Sequence, residues 1–270
     1  MKLATWNVNS LTVRLPQVID WLVTNPVDVL GLQELKMSDD KFPVEAFADV
    51  GYQASFFGQK TYNGVALLTK LAVTNVVKNM PHFADEQSRV IAANVPSPQG
   101  DVRVINGYFV NGHAPGTDKF EYKMSWLRAM RDYLRAELEA NPRVVVMGDF
   151  NITFDDADSH DPEGLRETIH HTTEERNHLK ALLALGFVDS HRHCNAIASP
   201  ETVIKKDKLF SWWDYRDFGF KRNRGLRIDY VLASDALKSY IASCVIDKAP
   251  RSNERPSDHT PVVMTLTDLL

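Results

Sequence analysis

The sequence predicts an α/β protein in which two β-sheets pack together and helices flank them. Short apolar runs of strand length outnumber the segments with a clear helical repeat, and the two kinds do not alternate regularly. A doubly wound single sheet would require that alternation. The chain has 270 residues, 44% of them hydrophobic, which is enough for a sizeable core.

Residues 3–8 form a short, mostly apolar strand. Leu15, Val18, Ile19 and Leu22 then recur at helical spacing. A second strand, Val27 to Leu32, follows Pro26 and ends at GLQE, so Glu34 lies at or just past its C-terminal end. Residues 64–69 (GVALLT), 89–95 and 102–108 are strand-like. Leu127, Met130, Leu134 and Leu138 mark one face of a helix from about 120 to 139, broken by Asn141 and Pro142. Val144 to Met147 is a buried strand running directly into GDFN. Leu179, Leu182 and Leu183 mark another helix, closed by Gly186. Residues 190–225 are irregular, polar and aromatic, and 228–232 and 262–266 are two further strands. No linker, tandem repeat or low-complexity tract interrupts the chain, so 1–270 reads as one domain.

The net charge of -4 excludes a protein that coats nucleic acid through overall charge, and leaves room for a local basic patch that steers a phosphate. Two cysteines, Cys194 and Cys244, make neither a disulfide scaffold nor a zinc cluster. The start MKLATWNVNS lacks an apolar leader, and no run has the length to cross a bilayer. These features lead us to expect a cytoplasmic protein that is a monomer and has no membrane partner.

One event repeats along the chain: an apolar strand ends and a carboxylate or amide follows. Asn7 follows LATW, Glu34 follows VLGLQ, and Asp149 and Asn151 follow VVVMG. Asp258 and His259 precede PVVMTL. Taken singly, Asp149 could cap a turn and Glu34 could be an exposed loop residue. Asp229 interrupts the apolar pattern of LRIDYVL, and a buried carboxylate must be paired. Adjacent side chains on an extended segment point apart, so His259 is expected to pair with a distant carboxylate, Asp229, rather than with Asp258. Hard oxygen ligands without a cysteine cluster favour Mg2+ or Mn2+. Metal, carboxylates, amides and one histidine together suit hydrolysis of a phosphodiester.

The motifs TWNVNS, GLQELK, GVALLTK, VINGYFVNG, VVVMGDFNI, FSWWDYR, NRGLRIDYVLAS and PSDHTPV occur in order from end to end. With them the chain resembles the exonuclease III family of abasic-site DNA repair endonucleases, within the endonuclease/exonuclease/phosphatase superfamily. The resemblance implies a four-layer α/β sandwich. It implies double-stranded DNA with abasic sites, nicks or blocked 3′ ends as substrate. Glu34 then resembles the principal metal ligand, helped by Asn7 and Asp258. Asp149 resembles the residue that orients or activates the attacking water, and Asn151 one that helps position it and the phosphate. His259, backed by Asp229, resembles the hydrogen bonder to the scissile phosphate, and Tyr108 the phenol on the phosphate or leaving-group side. By the same resemblance Trp212 lines the pocket for the abasic sugar, Trp213 packs beneath it, and Asn111 reaches the site. Lys221, Arg222, Arg224 and Arg227 form a local basic patch beside the tryptophans and read as a phosphate clamp. Lys119 and Lys123 are a second candidate contact. Arg89 is either a third contact or a brace.

Three stretches depart from the family pattern. Val110 stands where relatives usually have proline. His170 and His171 in TIHHTTEER replace smaller or less basic residues; either they are surface histidines, or they narrow the DNA cleft and favour 3′-end trimming over abasic-site incision. The stretch ASPETVIKKDKL before FSWW is longer than usual. The superfamily also holds inositol-phosphate phosphatases, sphingomyelinases and nonspecific nucleases with the same metal-and-histidine core, and WWDYR with NRGLRID sets this chain with the DNA-repair branch. A catalytically silent DNA-binding or scaffold protein would have no need to keep the whole polar set.

Overall fold

The computed structural model describes residues 1–195 and 208–267. In chain order the strands are β1 (Lys2–Asn7), β2 (Val29–Gln33), β3 (Gln53–Phe57), β4 (Val65–Thr69), β5 (Thr74–Lys78), β6 (Val90–Val95) and β7 (Val102–Tyr108). They continue with β8 (Val144–Asp149), β9 (Phe187–Asp189), β10 (Trp212–Trp213), β11 (Gly225–Leu226), β12 (Asp229–Ser234), β13 (Ile241–Ile246) and β14 (Val262–Leu266). The helices are α1 (Leu11–Thr24), α2 (Val44–Ala48), α3 (Asp118–Ala140), α4 (Thr173–Leu183) and α5 (Ser190–Cys194). One six-stranded sheet has the order β13-β14-β1-β2-β4-β3, the other β5-β6-β7-β8-β12-β9. Each is mixed, because β1 and β2 pair in parallel in the first and β7 and β8 in the second.

The central strands are buried on both faces, and successive side chains serve different layers. Leu3, Val29, Leu67, Val104, Val145, Val231 and Met264 meet between the sheets. Their neighbours Ala4, Leu30 and Leu68 face Val18, Trp21, Leu22 and Phe47 on the first outer layer. On the other side Ile105, Val146 and Leu232 face Met124, Leu127, Met130, Leu179 and Leu182. The result is helix, sheet, sheet, helix: the four-layer α/β sandwich.

A polar pin crosses the apolar interface between the sheets. Gln33 Nε2 donates to Thr5 Oγ1 (2.8 Å) and to Asn106 Oδ1 (2.6 Å), while Asn106 Nδ2 donates to the Leu32 and Ala66 carbonyls at 2.9 Å each. Buried amides need such partners, and these fix how one sheet sits on the other close to the site described below.

The predicted strands at 3–8, 27–32, 64–69, 89–95, 102–108, 144–147, 228–232 and 262–266 correspond to β1, β2, β4, β6, β7, β8, β12 and β14. The sequence pattern leaves β3, β5, β9 and β13 blank. These four are the outer strands of the two sheets. An outer strand packs on fewer neighbours, so its apolar signal is weaker: β5 is mostly exposed, and only two of the six residues of β13 are buried. Most of the stretch ASPETVIKKDKL, residues 198–207, lies outside the described residues.

Candidate active site

The site forms where the C-terminal ends of β1, β2, β7 and β8 open at one edge of the sandwich. Parallel pairing of Asn7 with Gln33 sets Asn7 beside Glu34. In the second sheet Tyr108 pairs with Asp149, and Asp149 with Asp229, so three site residues lie side by side on adjacent strands. Gly148 allows this row. A Cβ there would fall 1.9 Å from the Gly107 carbonyl oxygen, at a φ of 149°. His259 arrives from the loop before β14 and bridges to Trp212.

The polar groups converge through short bonds. Asn7 Nδ2 donates both to Glu34 Oε1 (2.8 Å) and to Asp149 Oδ2 (2.9 Å). His259 Nδ1 lies 2.9 and 3.1 Å from the two carboxylate oxygens of Asp229, and its Nε2 lies 3.7 Å from Asp149 Oδ2. The expected pairing of His259 with Asp229 is therefore present, and Asp258 points elsewhere. Asp258 accepts from Asn9 Nδ2 (2.9 Å) and Trp212 Nε1 (3.0 Å). Asn151 Nδ2 donates to the Phe109 carbonyl (3.0 Å) and to Asp149 (3.2 Å), and Asn111 Nδ2 donates to Asn151 Oδ1 (3.2 Å).

Burial pushes the Asp149 carboxyl up to about 7; Asp229 and Glu34 add to this, while His259 and the Asn7 amide oppose it. Burial alone would lower the His259 imidazole, but the charges of Asp229 and Asp149 outweigh it and raise it to about 10. At neutral pH the ring is thus an imidazolium with Nδ1 donating to Asp229. Tyr108 is held well above the usual phenol range by burial, then by the charges of Glu34 and Asp149, so its hydroxyl keeps its proton.

Glu34, Asp149 and His259 each offer a ligand atom within 4.8 Å of the others. His259 Nδ1 is committed to Asp229, and the group contains no cysteine, so carboxylate oxygens predominate among its donors. Three carboxylates, Glu34, Asp149 and Asp229, gather here, with His259 beside Asp149 and Asp229 and the Lys36 ammonium 3.0 Å from Glu34. This surplus of carboxylate charge fits a hard divalent cation. Asp258 lies outside the converging cluster, its oxygens taken by Asn9 and Trp212.

Several expectations for DNA-facing residues need correcting. Arg227 is buried (2% exposed) and cannot clamp a phosphate: Nε and Nη2 hold Asp158 at 2.7 and 3.0 Å, and Nη1 lies 2.7 Å from Asp189. Lys123 is wholly buried behind the site. Arg89 is a brace: its guanidinium lies over the Tyr108 ring at 4.9 Å, and Nη1 donates to the Tyr108 carbonyl (3.2 Å). Lys119, Lys221, Arg222, Arg224 and Asn111 are exposed. Trp213 is buried and donates to Asn223 Oδ1 (3.1 Å), whereas Trp212 is half-buried.

Beside the polar cluster lies a cavity of about 420 Å³, whose lining includes Ile169, His170, Trp212, Asp217, Arg224 and Leu226. The two histidines play different parts. His171 is buried, with Nε2 3.0 Å from Ser159 Oγ. His170 is half-buried and bonds through Nδ1 to the Asn151 carbonyl oxygen (2.6 Å). A carbonyl only accepts, so Nδ1 carries the proton.

Sequence reasoning missed Asn9, Ser211 and Ser257. Ser211 Oγ accepts from the Ile228 and Asp229 amides (3.1 and 3.0 Å). Ser257 Oγ donates to the Asn7 carbonyl (2.7 Å) and accepts from the His259 amide (3.2 Å). All three sit inside quoted motifs next to assigned residues, the one signal that could have found them.

Fold and site together define a phosphoesterase-type centre, and the chain belongs to the endonuclease/exonuclease/phosphatase family, whose model matches residues 4–259. It is 36% identical over 270 residues to exodeoxyribonuclease III of Haemophilus influenzae, covering 97% of this chain and 98% of that protein. Among solved structures it is similar to the 3′ phosphatase NExo from Neisseria bound to product DNA hairpin, with 43% identity, a TM-score of 0.92, and 98% and 99% of the two chains covered. It is also similar to an AP endonuclease from Archaeoglobus fulgidus, with 32% identity, a TM-score of 0.91 and 99% of each chain covered.

Proposed function

We propose that the protein is a divalent-metal-dependent DNA repair nuclease. On double-stranded DNA it hydrolyses phosphodiesters 5′ to abasic sites, or removes blocking groups and nucleotides from 3′ ends. One observation carries this reading. Asn7 ties Glu34 to Asp149, and across from Asp149 stands a His259 imidazolium backed by Asp229. The exodeoxyribonuclease III and AP endonuclease relatives supply the DNA substrate class.

Glu34 would hold the metal with Asn7, and the family resemblance adds Asp258. When bound, Mg2+ or Mn2+ supplies a Lewis acid that takes up charge on the phosphate. Asp149, raised to about 7, accepts the proton of the attacking water at Oδ2. Asn151 holds that carboxylate in place through Nδ2. His259 donates from Nε2 to a non-bridging phosphate oxygen, and Asp229 keeps its ring oriented and charged. The Tyr108 hydroxyl, still protonated, donates on the leaving-group side. Trp212 and the exposed Arg222, Arg224 and Lys119 contact the sugar and backbone phosphates. The residues invoked span Asn7 to His259 and converge on one site, which supports a single domain, and we propose a monomer.

A second reading, a 3′-end-processing specialist with weak abasic-site incision, draws on His170. Its imidazole sits in the wall of the cavity and leaves less room for a sugar turned out of a continuous duplex.

The test uses two labelled duplexes, one with an internal abasic-site analogue and one with a nick carrying a 3′-phosphate. Wild type and Asp149→Asn are run with Mg2+ and with EDTA. Metal-dependent incision lost in the variant supports the abasic nuclease. Trimming without incision supports the specialist. Activity on neither duplex refutes the DNA reading and turns attention to other phosphodiesters.

A further inference from the structure

We propose that Lys123 and Glu175 act as a buried positioning pair that sets Asn151 and His170 for the reaction, although neither touches the DNA. This inference rests on the reading of Asn151 as a site residue.

Both side chains are 0% exposed. Lys123 rises from α3 and Glu175 from the first turn of α4. The ammonium has three protons and spends each on a different segment. Nζ donates to the Asn111 carbonyl (3.1 Å), to the Asn151 carbonyl (2.8 Å) and to Glu175 Oε1. Glu175 is equally committed. Oε1 also accepts from the His170 amide (3.1 Å), and Oε2 accepts from the Thr172 amide (3.1 Å) and hydroxyl (2.8 Å). The circuit closes through His170, whose Nδ1 donates to the same Asn151 carbonyl at 2.6 Å. The loops carrying Asn111, Asn151 and His170 are thus tied to two helices through one ion pair.

Backbone geometry gives these ties a task. Asn151 and His170 both adopt left-handed conformations, with φ of 52° and 71°. Residues other than glycine hold such conformations only where the surroundings over-determine them. Stability alone does not account for the pair, since burying two charges recovers little that a well-packed apolar pair would not also supply. What an apolar pair cannot supply is the directed bonds to two backbone carbonyls and two backbone amides. Asn151 in turn sets Asp149 (3.2 Å) and receives Asn111 (3.2 Å), so a shift of its backbone reaches the reacting groups directly.

The test compares wild type with the double variant Lys123→Met/Glu175→Gln, which leaves no lone buried charge. Single-turnover rates are measured on the nicked and abasic duplexes, with KM for each and the melting temperature. The expected result is a fall in kcat of roughly 10- to 100-fold, the scale of a misplacement near 1 Å, with KM within about threefold because no DNA contact is lost. An unchanged kcat in the folded variant overturns the proposal. So does a raised KM at unchanged kcat, which would make Lys123 a DNA contact. Should the double variant fail to fold, Lys123→Arg keeps the charge but cannot aim three tetrahedral bonds; a lowered kcat at unchanged KM is again expected, and wild-type kcat would count against us. Amide exchange keeps the inference separable from the nuclease reading. If the enzyme cleaves neither duplex, faster exchange at His170 and Thr153 in the variant, with α3 still protected, still supports positioning, whereas unchanged exchange there defeats it.

Discussion

Asn7 and Asp149 belong to different sheets, yet the amide of one donates to the carboxylate of the other at 2.9 Å. The same amide nitrogen reaches Glu34 at 2.8 Å. Alongside the pair of His259 with Asp229, Asn7 thus joins the two halves of the sandwich at the site. Replacing Asn7 tests how much of the rate depends on that join. Asn7→Ala should lower the single-turnover rate on either duplex by roughly 10²- to 10³-fold, the usual cost of losing one preorganised donor. A rate within threefold of wild type would show that the join is dispensable.

Trp212 should affect metal affinity as well as DNA. Its indole N–H holds Asp258 Oδ2 at 3.0 Å. Trp212→Phe keeps an aromatic ring and removes that donor. If Asp258 serves the metal, the Mg2+ concentration giving half-maximal rate should rise about 10-fold, within the range seen when a ligand's supporting bond is lost. DNA affinity should change far less. An unchanged Mg2+ midpoint would remove Asp258 from the ligand set.

His170 and His171 should separate on substitution. His170→Gly suits the positive φ of 71° and clears the cavity wall. It should raise abasic-site incision relative to 3′-phosphate removal by several-fold. His171→Ala removes the partner of Ser159 and should cost about 1 kcal/mol of stability while leaving the substrate ratio unchanged. Equal substrate ratios in wild type and His170→Gly would abandon the narrowed-cleft reading.

The Asp158 network predicts an acid-labile fold. Burial alone would raise the Asp158 carboxyl, but the charges of Arg227 and Arg192 outweigh it and hold it below the usual carboxylate range. A carboxylate depressed in the folded state contributes stability that is fully present above its unfolded value, about 4. That contribution is lost as pH falls through the lower, folded value. Asp158→Asn strands part of the charge on Arg227 and Arg192 and should cost about 3 kcal/mol at pH 7. The difference from wild type should shrink below about pH 4. Denaturant melts at pH 7 and at low pH check both halves, and a gap independent of pH would contradict the assignment.

The sequence by itself determined the inner strands and the polar residues that end them. Asn7, Glu34, Asp149 and Asn151 are legible because each closes an apolar run, a local pattern that needs no partner to be seen. The pairing of His259 with Asp229 was also within reach, since a carboxylate inside an apolar strand must find a counter-group. Tertiary structure alone decided what lies at the surface. Arg227 and Arg224 differ by three positions in one basic stretch, yet one is locked between Asp158 and Asp189 and the other is exposed. Lys123 and Lys119 part in the same way on one helix. Composition fixes the charge of a segment, but burial depends on which distant carboxylates fold against it. The outer strands β3, β5, β9 and β13 escaped for a related reason. A strand with a neighbour on one side only needs little apolar character of its own, and pairing with that neighbour, not its own residues, makes it a strand.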